Sequence, residues 1–395
     1  MVNGPEGRRY ASVPQYPAAV RVALAGVGRM GSAIAGRLRA AGHRVTLYDP
    51  ALPAGESAPS LAAAARRSVI TFLCLPDAAA VQSSLNGLSE AAPPIVVDLT
   101  TSLPSTTRRM AAALAPLGVD LMDCPLSGGV AGARAGTLTA MAGGDRDLLE
   151  RTRPVLAAFA SNVRWAGPLG SGHATKALNN ALSAASLAAT SELLVTGAAC
   201  GLDEDTVVAA FNASRARSQN SEVKFPRDVL TRTYGAGFTA TLMVKDLACA
   251  LTIARGRGAP ARFLAALADA WREAEEAMGP DADFTRIHAV IESRRPPSPQ
   301  SRPGRNPGDL ATLCRALASV NLLAATEILR ITEAEGLERE RVLSIVNTST
   351  GRSEATRSGL TGEVDPAALR AALDMAEAAG VWTPVTAIAT SLAAS

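Results

Sequence analysis

The chain has 395 residues and a net charge of +3, and its 48% hydrophobic and 19% charged residues are typical of a soluble globular protein. This length is enough for two or three domains with sizeable cores. No basic run is interleaved with aromatic residues, so nucleic-acid binding has no support. The apolar run over 174–199 contains Lys176 and Glu192 and is rich in Ser and Thr, so we expect no membrane span.

Cysteine and histidine spacing bears on the compartment and on metals. Scattered cysteines in apolar contexts, without a CxxC pair, predict reduced core thiols in a cytoplasmic protein: Cys74, Cys124, Cys200, Cys249 and Cys314. The three histidines (His43, His173 and His288) are too dispersed for a metal site or a triad, so we expect no metal. Residues 1–18 lack the apolar core of a signal peptide and are predicted to be a flexible tail.

A glycine-rich turn follows the first apolar strand. Residues 20–25 predict a buried strand, residues 32–41 predict a helix, and between them stands Gly26-Val27-Gly28-Arg29-Met30-Gly31. This G-x-G-x-x-G pattern between a strand and a helix indicates a dinucleotide-binding domain. Gly26 would permit the tight turn, Gly28 would let a pyrophosphate approach the backbone, and Gly31 would let helix and strand pack closely. The helix N-terminus would then face the phosphates.

Asp49 ends the second predicted strand, 44–48, close to the distance expected for the residue that hydrogen-bonds the adenosine ribose. Its carboxylate would repel a 2′-phosphate, and no arginine lies between Asp49 and Arg66. The sequence therefore favours NAD over NADP. The alternative is a surface aspartate that caps a turn before Pro50.

Further loops fall at the carboxyl ends of the predicted strands 69–73, 95–97 and 121–125, where ligands bind in an open parallel sheet. These loops contain Leu75-Pro76, Thr101 and Ser127-Gly128-Gly129. Together with the glycine-rich turn they predict one site. Short strands at 139–144 and 163–167 are expected to close this domain, with its boundary near 167–172.

The stretch 174–199, which Gly170 and Gly172 precede, predicts one long, mostly buried helix, because it is rich in Ala and Leu and has no proline. Lys176 and Asn180 lie four residues apart and share one face near its start. Burial and the helix dipole both lower the pKa of an amine in that place, which suits proton transfer. The alternative is a lysine that extends along a domain rim into solvent.

Helical patterns continue over 204–212, 242–255 and 259–278. With these motifs in place, the chain resembles the β-hydroxyacid dehydrogenases, the family of 3-hydroxyisobutyrate dehydrogenase and 6-phosphogluconate dehydrogenase. The resemblance covers 20–292. It implies an α/β Rossmann domain followed by an all-α domain like that of 6-phosphogluconate dehydrogenase; an internal repeat at 308–395 predicts a second, degenerate all-α copy of that domain.

The resemblance also assigns residues. It implies that the dinucleotide contacts Gly26, Val27, Gly28, Arg29, Met30, Gly31, Asp49, Leu75, Pro76, Thr101, Phe238, Lys245 and Asp246. It implies that the substrate contacts Ser127, Gly128, Gly129, Asn180 and Lys245, the first three as a small anion-binding nest. Lys176 matches the catalytic acid/base. The departures are small: His173 stands where a small or amide residue is commoner, and Thr100 replaces a serine.

The activity implied is hydride transfer between NAD and a small β-hydroxy acid or semialdehyde, with Lys176 exchanging the hydroxyl proton. NADP is a less favoured cofactor. One alternative is an NADPH-dependent imine reductase, against which Lys176 and Asp49 both argue. A second alternative is a non-catalytic NAD-binding scaffold. The substrate, the physiological direction and the oligomeric state, including a homodimer, stay open.

The last part of the chain repeats the helical domain. Residues 293–307 are rich in Pro, Ser and Arg and predict a linker between the helical domain, 169–292, and a segment at 308–395. Aligning Glu327 with Glu192 places Gly336-Leu337 under Gly201-Leu202, and places Asn347, Ser349, Arg352 and Ser353 under Asn212, Ser214, Arg217 and Ser218. In this alignment Ala311 replaces Lys176 and Arg315 replaces Asn180. After a gap, Leu369 aligns with Leu247, while Ala367 and Ala368 replace Lys245 and Asp246. We therefore predict a non-catalytic copy that packs on the first as an intramolecular partner; the alternative is a loosely tethered module.

Overall fold

The structure, a computed structural model, describes residues 19–53, 55–295 and 307–394. The predicted tail, 1–18, and most of the predicted linker lie outside the described residues. The strands are β1 (Arg21–Ala25), β2 (Arg44–Tyr48), β3 (Ile70–Leu73), β4 (Ile95–Asp98), β5 (Asp120–Asp123), β6 (Leu126–Ser127), β7 (Thr139–Gly143) and β8 (Asn162–Gly167).

The α-helices are α1 (Arg29–Ala40), α2 (Leu61–Ala65), α3 (Ala78–Ser83), α4 (Leu85–Ala91), α5 (Pro104–Leu114), α6 (Gly129–Ala135), α7 (Arg146–Leu156), α8 (Ser171–Ala199), α9 (Glu204–Asn212), α10 (Ala240–Gly256), α11 (Arg262–Met278), α12 (Ile287–Ser293), α13 (Pro307–Ala334), α14 (Arg339–Val346), α15 (Glu354–Arg357), α16 (Pro366–Ala379) and α17 (Pro384–Ala393). A π-helix spans Asn220–Val229, and short 3-10 helices span Ala115–Leu117 and Phe284–Arg286.

The first part of the chain is an α/β domain with one sheet in the order β2-β1-β3-β4-β5-β7-β6, and β8 pairs with β7. Strands β1 to β5 are parallel, so their carboxyl ends meet at one edge. The interior strands β3 and β4 are buried along their whole length, which explains their continuous apolar sequences. The Rossmann-type sheet predicted from the alternation of strands and helices is confirmed.

Helix α1 begins at Arg29, three residues before the predicted start. Gly28 has an extended backbone and is the N-cap residue, so Arg29 and Met30 form the first helical turn. The apolar pattern indicates only the turns that face the core, where Gly31 and Ile34 are buried. The first turn instead faces the open edge of the sheet.

Helix α8 is the centre of the all-α part. Nearly all its residues from Ser171 to Gly197 are buried, because helices α10, α12, α13, α16 and α17 pack around it. By length and apolar composition alone, α8 and the Gly308–Ala334 part of α13 are two helices that could cross a membrane. However, 94% of the apolar window of α8 is buried inside the protein, as is 56% of that of α13. Packing accounts for the apolar character of α8, and the absence of membrane binding stays a prediction.

Helix α13 packs along α8, and several hydrogen bonds between the two halves of the all-α part occur in pairs. The backbone N–H of Gln219 donates to the carbonyl of Arg352 (2.9 Å), and that of Glu354 donates to the carbonyl of Arg217 (2.8 Å). These bonds flank an antiparallel bridge of Ser218 to Ser353. In the predicted alignment Ser218 thus meets its own counterpart, Ser353, and the two bonds on either side of this bridge are equivalent, as in two copies related by a twofold axis.

The same reciprocity holds for two glutamates. Glu192 on α8 accepts bonds from the backbone N–H groups of Val385 (2.9 Å) and Thr386 (2.8 Å) at the start of α17. Glu327 on α13 accepts from those of Phe263 (3.0 Å) and Leu264 (2.8 Å) at the start of α11. Each carboxylate therefore satisfies backbone donors at the first turn of a helix that belongs to the other half. The domain boundaries and the duplication stay predictions.

Candidate active site

The glycine-rich turn of residues 26–31 has the shape of a phosphate cradle. Gly26 has φ +89°, and a Cβ there would lie 2.1 Å from the carbonyl oxygen of Cys74. A Cβ at Gly31 would lie 2.0 Å from the carbonyl oxygen of Gly26, whereas no atom stands within 4 Å of one at Gly28. The turn is thus closed on its protein side and open at Gly28, in front of the N-terminus of α1. These residues fit the pyrophosphate of a dinucleotide.

Asp49 lies at the carboxyl end of β2, beside this turn. Its Oδ2 accepts a hydrogen bond from the backbone N–H of Val27 (2.7 Å), and its Oδ1 accepts one from that of Ala51 (2.9 Å). The carboxylate therefore faces the glycine turn and also caps the turn after Pro50, so both interpretations of Asp49 have a matching contact. Arg66 forms an ion pair with Glu90.

Lys245, on α10, connects the all-α part to the loops of the α/β domain. Its Nζ donates to the carbonyl oxygens of Pro76 (3.2 Å) and Thr101 (3.3 Å). Thr100 also joins these loops, because its Oγ1 accepts a hydrogen bond from the backbone N–H of Leu75 (3.1 Å). The cofactor-binding loops predicted from the sequence are therefore brought together at one edge of the sheet, opposite α10.

Lys176 belongs to a chain of hydrogen bonds at the start of α8. Its Nζ donates to Oδ1 of Asn180 (3.0 Å), and Nδ2 of Asn180 donates to Oδ2 of Asp246. Asp246 is in turn paired with Nζ of Lys245 at 3.3 Å. Lys176 is only 7% exposed. Burial lowers its pKa to about 8, with Asp246 acting against this shift and Lys245 adding to it. The predicted acid/base is thus buried, oriented and able to lose its proton near neutral pH.

Asp123 fixes the position of this helix start. Its carboxylate accepts hydrogen bonds from the backbone N–H groups of Gly170 (2.7 Å) and His173 (2.8 Å), two donors at the beginning of α8. The His173 ring lies 2.8 Å from Oγ1 of Thr107 and 3.7 Å from a carboxylate oxygen of Asp98. Burial lowers the pKa of His173 to about 3, so the ring is neutral. His173 therefore serves packing between α8 and the sheet, a role that the sequence pattern did not indicate.

A cavity of about 130 Å³ lies between the two parts of the chain. The α/β domain contributes Ser127, Gly128 and Gly129, and α8 contributes Lys176 and Asn180. Gly128 and Gly129 have φ values of +126° and +68°, a backbone region that favours glycine and presents successive amides. The predicted substrate-binding residues thus surround one cavity, except Lys245, which does not line it. A larger surface cleft of about 320 Å³ near Trp165 contains none of them.

Further elements that the sequence did not assign to the site also line this cavity, among them the 3-10 helix with Phe284. The π-helix contributes Lys224 and Arg227. The second half contributes Thr350, whose Oγ1 lies 3.5 Å from Oγ of Ser127 and accepts a bond from Nδ2 of Asn179 (3.0 Å). One sequence signal could have indicated Lys224: the chain has only three lysines against 36 arginines, and the other two are Lys176 and Lys245.

Among the described residues, one group has the spacing of metal ligands: Glu204, His288 and Glu292, with ligand atoms within 4.8 Å of one another. The guanidinium of Arg232 pairs with both carboxylates, at 3.0 Å each. Burial also lowers the pKa of His288 to about 3. We therefore interpret this group as an ion-pair cluster of Arg232 with Glu204 and Glu292, packed against the buried His288.

Comparisons with known proteins agree with this geometry. The family profile described as the NAD binding domain of 6-phosphogluconate dehydrogenase matches residues 21–167. The profile described as NAD-binding of NADP-dependent 3-hydroxyisobutyrate dehydrogenase matches residues 170–291. The 2-(hydroxymethyl)glutarate dehydrogenase of Eubacterium barkeri is 33% identical over 276 residues, which cover 66% of this chain and 90% of the relative.

Two solved structures extend the comparison. Mycobacterium tuberculosis 3-hydroxyisobutyrate dehydrogenase, solved with L-serine, is 28% identical, with a TM-score of 0.64 over 69% of this chain and 99% of its own. Plasmodium falciparum 6-phosphogluconate dehydrogenase is 17% identical, with a TM-score of 0.66 over 94% of this chain and 91% of its own, and shows the fold alone.

Fold, site and comparisons together define a nicotinamide-dinucleotide-dependent dehydrogenase that acts on the CH–OH group of a small hydroxy acid. The chain belongs to the β-hydroxyacid dehydrogenase family, as the resemblance predicted.

Proposed function

We propose that this enzyme transfers a hydride between NAD and the hydroxyl-bearing carbon of a small β-hydroxy acid, with Lys176 as the general acid/base. The observation that carries the proposal is the hydrogen-bonded chain from Lys176 through Asn180 to Asp246, at the wall of a cavity that also contains the Ser127–Gly129 nest. The names of the relatives place 3-hydroxyisobutyrate and 2-(hydroxymethyl)glutarate among the substrates to test first.

Each residue has a role in this proposal. Ser127 and the amides of Gly128 and Gly129 hold the substrate carboxylate, and Asn180 keeps the hydroxyl near Lys176. The bound dinucleotide supplies the hydride acceptor or donor. During oxidation, neutral Lys176 accepts the hydroxyl proton at Nζ; during reduction, its ammonium returns the proton to the carbonyl oxygen. The hydrogen bond to Asn180 limits the positions that Nζ can take, which keeps it aligned for this transfer.

We propose NAD as the cofactor. Support comes from Asp49, whose carboxylate lies beside the glycine turn and would repel a 2′-phosphate. The nearest arginine after it in the chain, Arg66, is engaged by Glu90. We also propose a cytoplasmic location, supported by Cys74 and Cys124, which are free thiols in the structure, as is usual in reducing compartments.

We also propose that the 307–394 segment is a degenerate copy of the helical domain and acts as a permanent partner within the chain. The reciprocal bonds of Gln219 and Glu354, and those of Glu192 and Glu327, support this proposal. Thr350 adds a functional consequence, because it lines the substrate cavity from the second copy.

The pH profile should follow the pKa of Lys176, which burial lowers from 10.5 to about 8. Since only the neutral amine accepts a proton, kcat/KM for hydroxy-acid oxidation should rise with pH, with its inflection at or below about pH 8, and level off above that inflection. The positive charge of NAD⁺ adds to the lowering. For carbonyl reduction, kcat/KM should fall through a similar pH as the ammonium donor is lost. Steady-state kinetics in both directions measure this, and an inflection near 10.5 would contradict the proposed base.

The direct test is NADH formation at 340 nm with a panel of β-hydroxy acids, each assayed with NAD⁺ and with NADP⁺. We expect turnover of at least one acid, with a higher kcat/KM for NAD⁺. Preference for NADP⁺ would overturn the cofactor proposal alone. Absence of turnover across the panel, with NADH still bound in a fluorescence titration, would contradict the proposed reaction.

A further inference from the structure

Lys224 is a buried cation that the proposed reaction does not use. It lies on the π-helix, is 6% exposed, and lines the substrate cavity. Its Nζ donates to Oε1 of Gln219 and to Oδ1 of Asn220, both at 2.6 Å. Among the described residues, no carboxylate forms an ion pair with it. The ammonium also lies 5.6 Å from the centre of the Phe284 ring. A buried ammonium held by amide oxygens and a ring face is costly, because these neutral partners do not balance its charge.

The carboxylates nearest to Lys224 are engaged elsewhere. Asp228 accepts two hydrogen bonds from the Arg227 guanidinium, from Nε (2.9 Å) and from Nη2 (2.6 Å). Asp283 accepts bonds from the backbone N–H of Gly237 (2.6 Å) and from Thr285. Burial lowers the pKa of Lys224 to about 7; the charges of Arg227 and Lys176 act in the same direction, and those of Asp228 and Asp283 act against it. An anion in the cavity would have the opposite effect, because it favours the ammonium.

The distribution of lysine in the sequence also favours an anionic ligand at Lys224. Arginine supplies almost every positive charge of this chain, and only three lysines occur in it. Two of them, Lys176 and Lys224, line the cavity, and Lys245 is joined to it through Asp246 and Asn180. Lys176 and Lys245 already have proposed roles in the site. The third lysine thus stands where a compact point charge inside the cavity can meet a ligand.

The walls of the cavity come from different parts of the chain. Ser127, Gly128 and Gly129 come from the α/β domain, whereas Lys224 and Arg227 come from the π-helix of the all-α part. None of the residues that line the cavity is acidic, and three of them are cationic. A monocarboxylic substrate would occupy the nest and leave the Lys224 wall without a partner.

We propose that Lys224, with Arg227 beside it, forms a second anion subsite, and that the substrate is a β-hydroxy acid whose side chain ends in a second anionic group, a carboxylate or a phosphonate. This inference rests on the proposed function, since it assumes that the first carboxylate binds at Ser127–Gly129. The second group determines specificity and does not take part in the proton or hydride transfer.

The test compares substrates that share the reacting groups and differ only in the side chain. Two have an anionic side chain, 2-(hydroxymethyl)glutarate and its phosphonate analogue 2-(hydroxymethyl)-4-phosphonobutanoate, and two have an uncharged side chain, 3-hydroxyisobutyrate and 2-(hydroxymethyl)hexanoate. For the wild type we expect kcat/KM to be about tenfold or more higher with a charged side chain than with either uncharged one, the size of one charge-assisted hydrogen bond. The carboxylate and phosphonate arms identify which anion is preferred.

The matched variants are Lys224→Met, which keeps the length of the side chain and removes the charge, and Lys224→Arg, which keeps the charge. The readout is kcat/KM for substrates with an anionic side chain divided by kcat/KM for those with an uncharged side chain. This ratio cancels any general loss of activity. We expect this ratio to fall to about 1 in Lys224→Met and to stay well above 1 in Lys224→Arg. Equal use of all four compounds by the wild type, or an unchanged ratio in Lys224→Met, would overturn the subsite while leaving the proposed reaction intact. No turnover of any compound by a wild type that binds NADH would overturn both.

Discussion

Replacing Lys176 with alanine should lower kcat for hydroxy-acid oxidation by about 10²- to 10⁴-fold, the usual contribution of a positioned acid/base. The amine is the group that the structure places at the cavity wall, hydrogen-bonded to Asn180 at 3.0 Å and buried enough to lower its pKa to about 8. Steady-state kinetics with the substrate found in the panel measure the loss. Because the dinucleotide turn of residues 26–31 lies elsewhere, NADH affinity should change little, which a fluorescence titration checks.

Lys176→Arg tests whether the reaction needs the proton transfer by Lys176 or only its positive charge. Arginine keeps a cation on α8 but cannot lose its proton in proteins, so this variant should be about as inactive as Lys176→Ala. Exogenous primary amines, supplied to the alanine variant, should restore part of the activity if the cavity admits them. Near wild-type kcat in either variant would show that another group moves the proton.

Glu192→Ala should strongly destabilise the all-α part. The buried carboxylate accepts bonds from two backbone N–H groups of α17 and from Oγ1 of Thr386 (2.6 Å). Burial raises its pKa, so the position is costly for a charge and is tolerated because these three donors satisfy it. Alanine would leave the backbone donors of α17 unpaired at about 1–3 kcal/mol each. We expect the thermal midpoint of the unliganded protein to fall by roughly 5 °C or more.

Two controls interpret that result. Glu327→Ala removes the reciprocal bonds to Phe263 and Leu264, but Glu327 is only half-buried, so its effect should have the same sign and a smaller size. Glu340→Ala removes an exposed carboxylate and should shift the midpoint by less than about 1 °C. A midpoint for Glu192→Ala equal to that of Glu340→Ala would mean that α17 does not depend on this contact.

Much of the fold could be predicted from the sequence because its signals are local. The strands β3 and β4 are continuous apolar runs, and the G-x-G-x-x-G turn joins a strand to a helix, so their order alone indicates a parallel sheet. Lys176 and Asn180 share a helix face, which their spacing of four predicts and their hydrogen bond confirms.

The rest of the candidate site depends on contacts between distant segments. Lys224 lies on a π-helix, a rare element, and Pro226 within it argues against a regular helix. Thr350 reaches Ser127 across 223 positions of the chain, which no local pattern indicates. Asp123 was part of a recognised motif, but its bonds to the first N–H groups of α8 become visible only when the sheet and helix are packed together.

The contact of Thr350 with Ser127 and Asn179 has a kinetic and evolutionary consequence. Both sides of the contact belong to one polypeptide, so this wall of the cavity closes by a unimolecular step, and its completeness is independent of enzyme concentration. In a symmetric dimer any substitution in such a loop appears twice, once at each equivalent position. In the proposed duplication, the 348–351 loop can change by itself while its counterpart around Arg215 stays as it is, so the pocket wall and the domain contact are free to diverge.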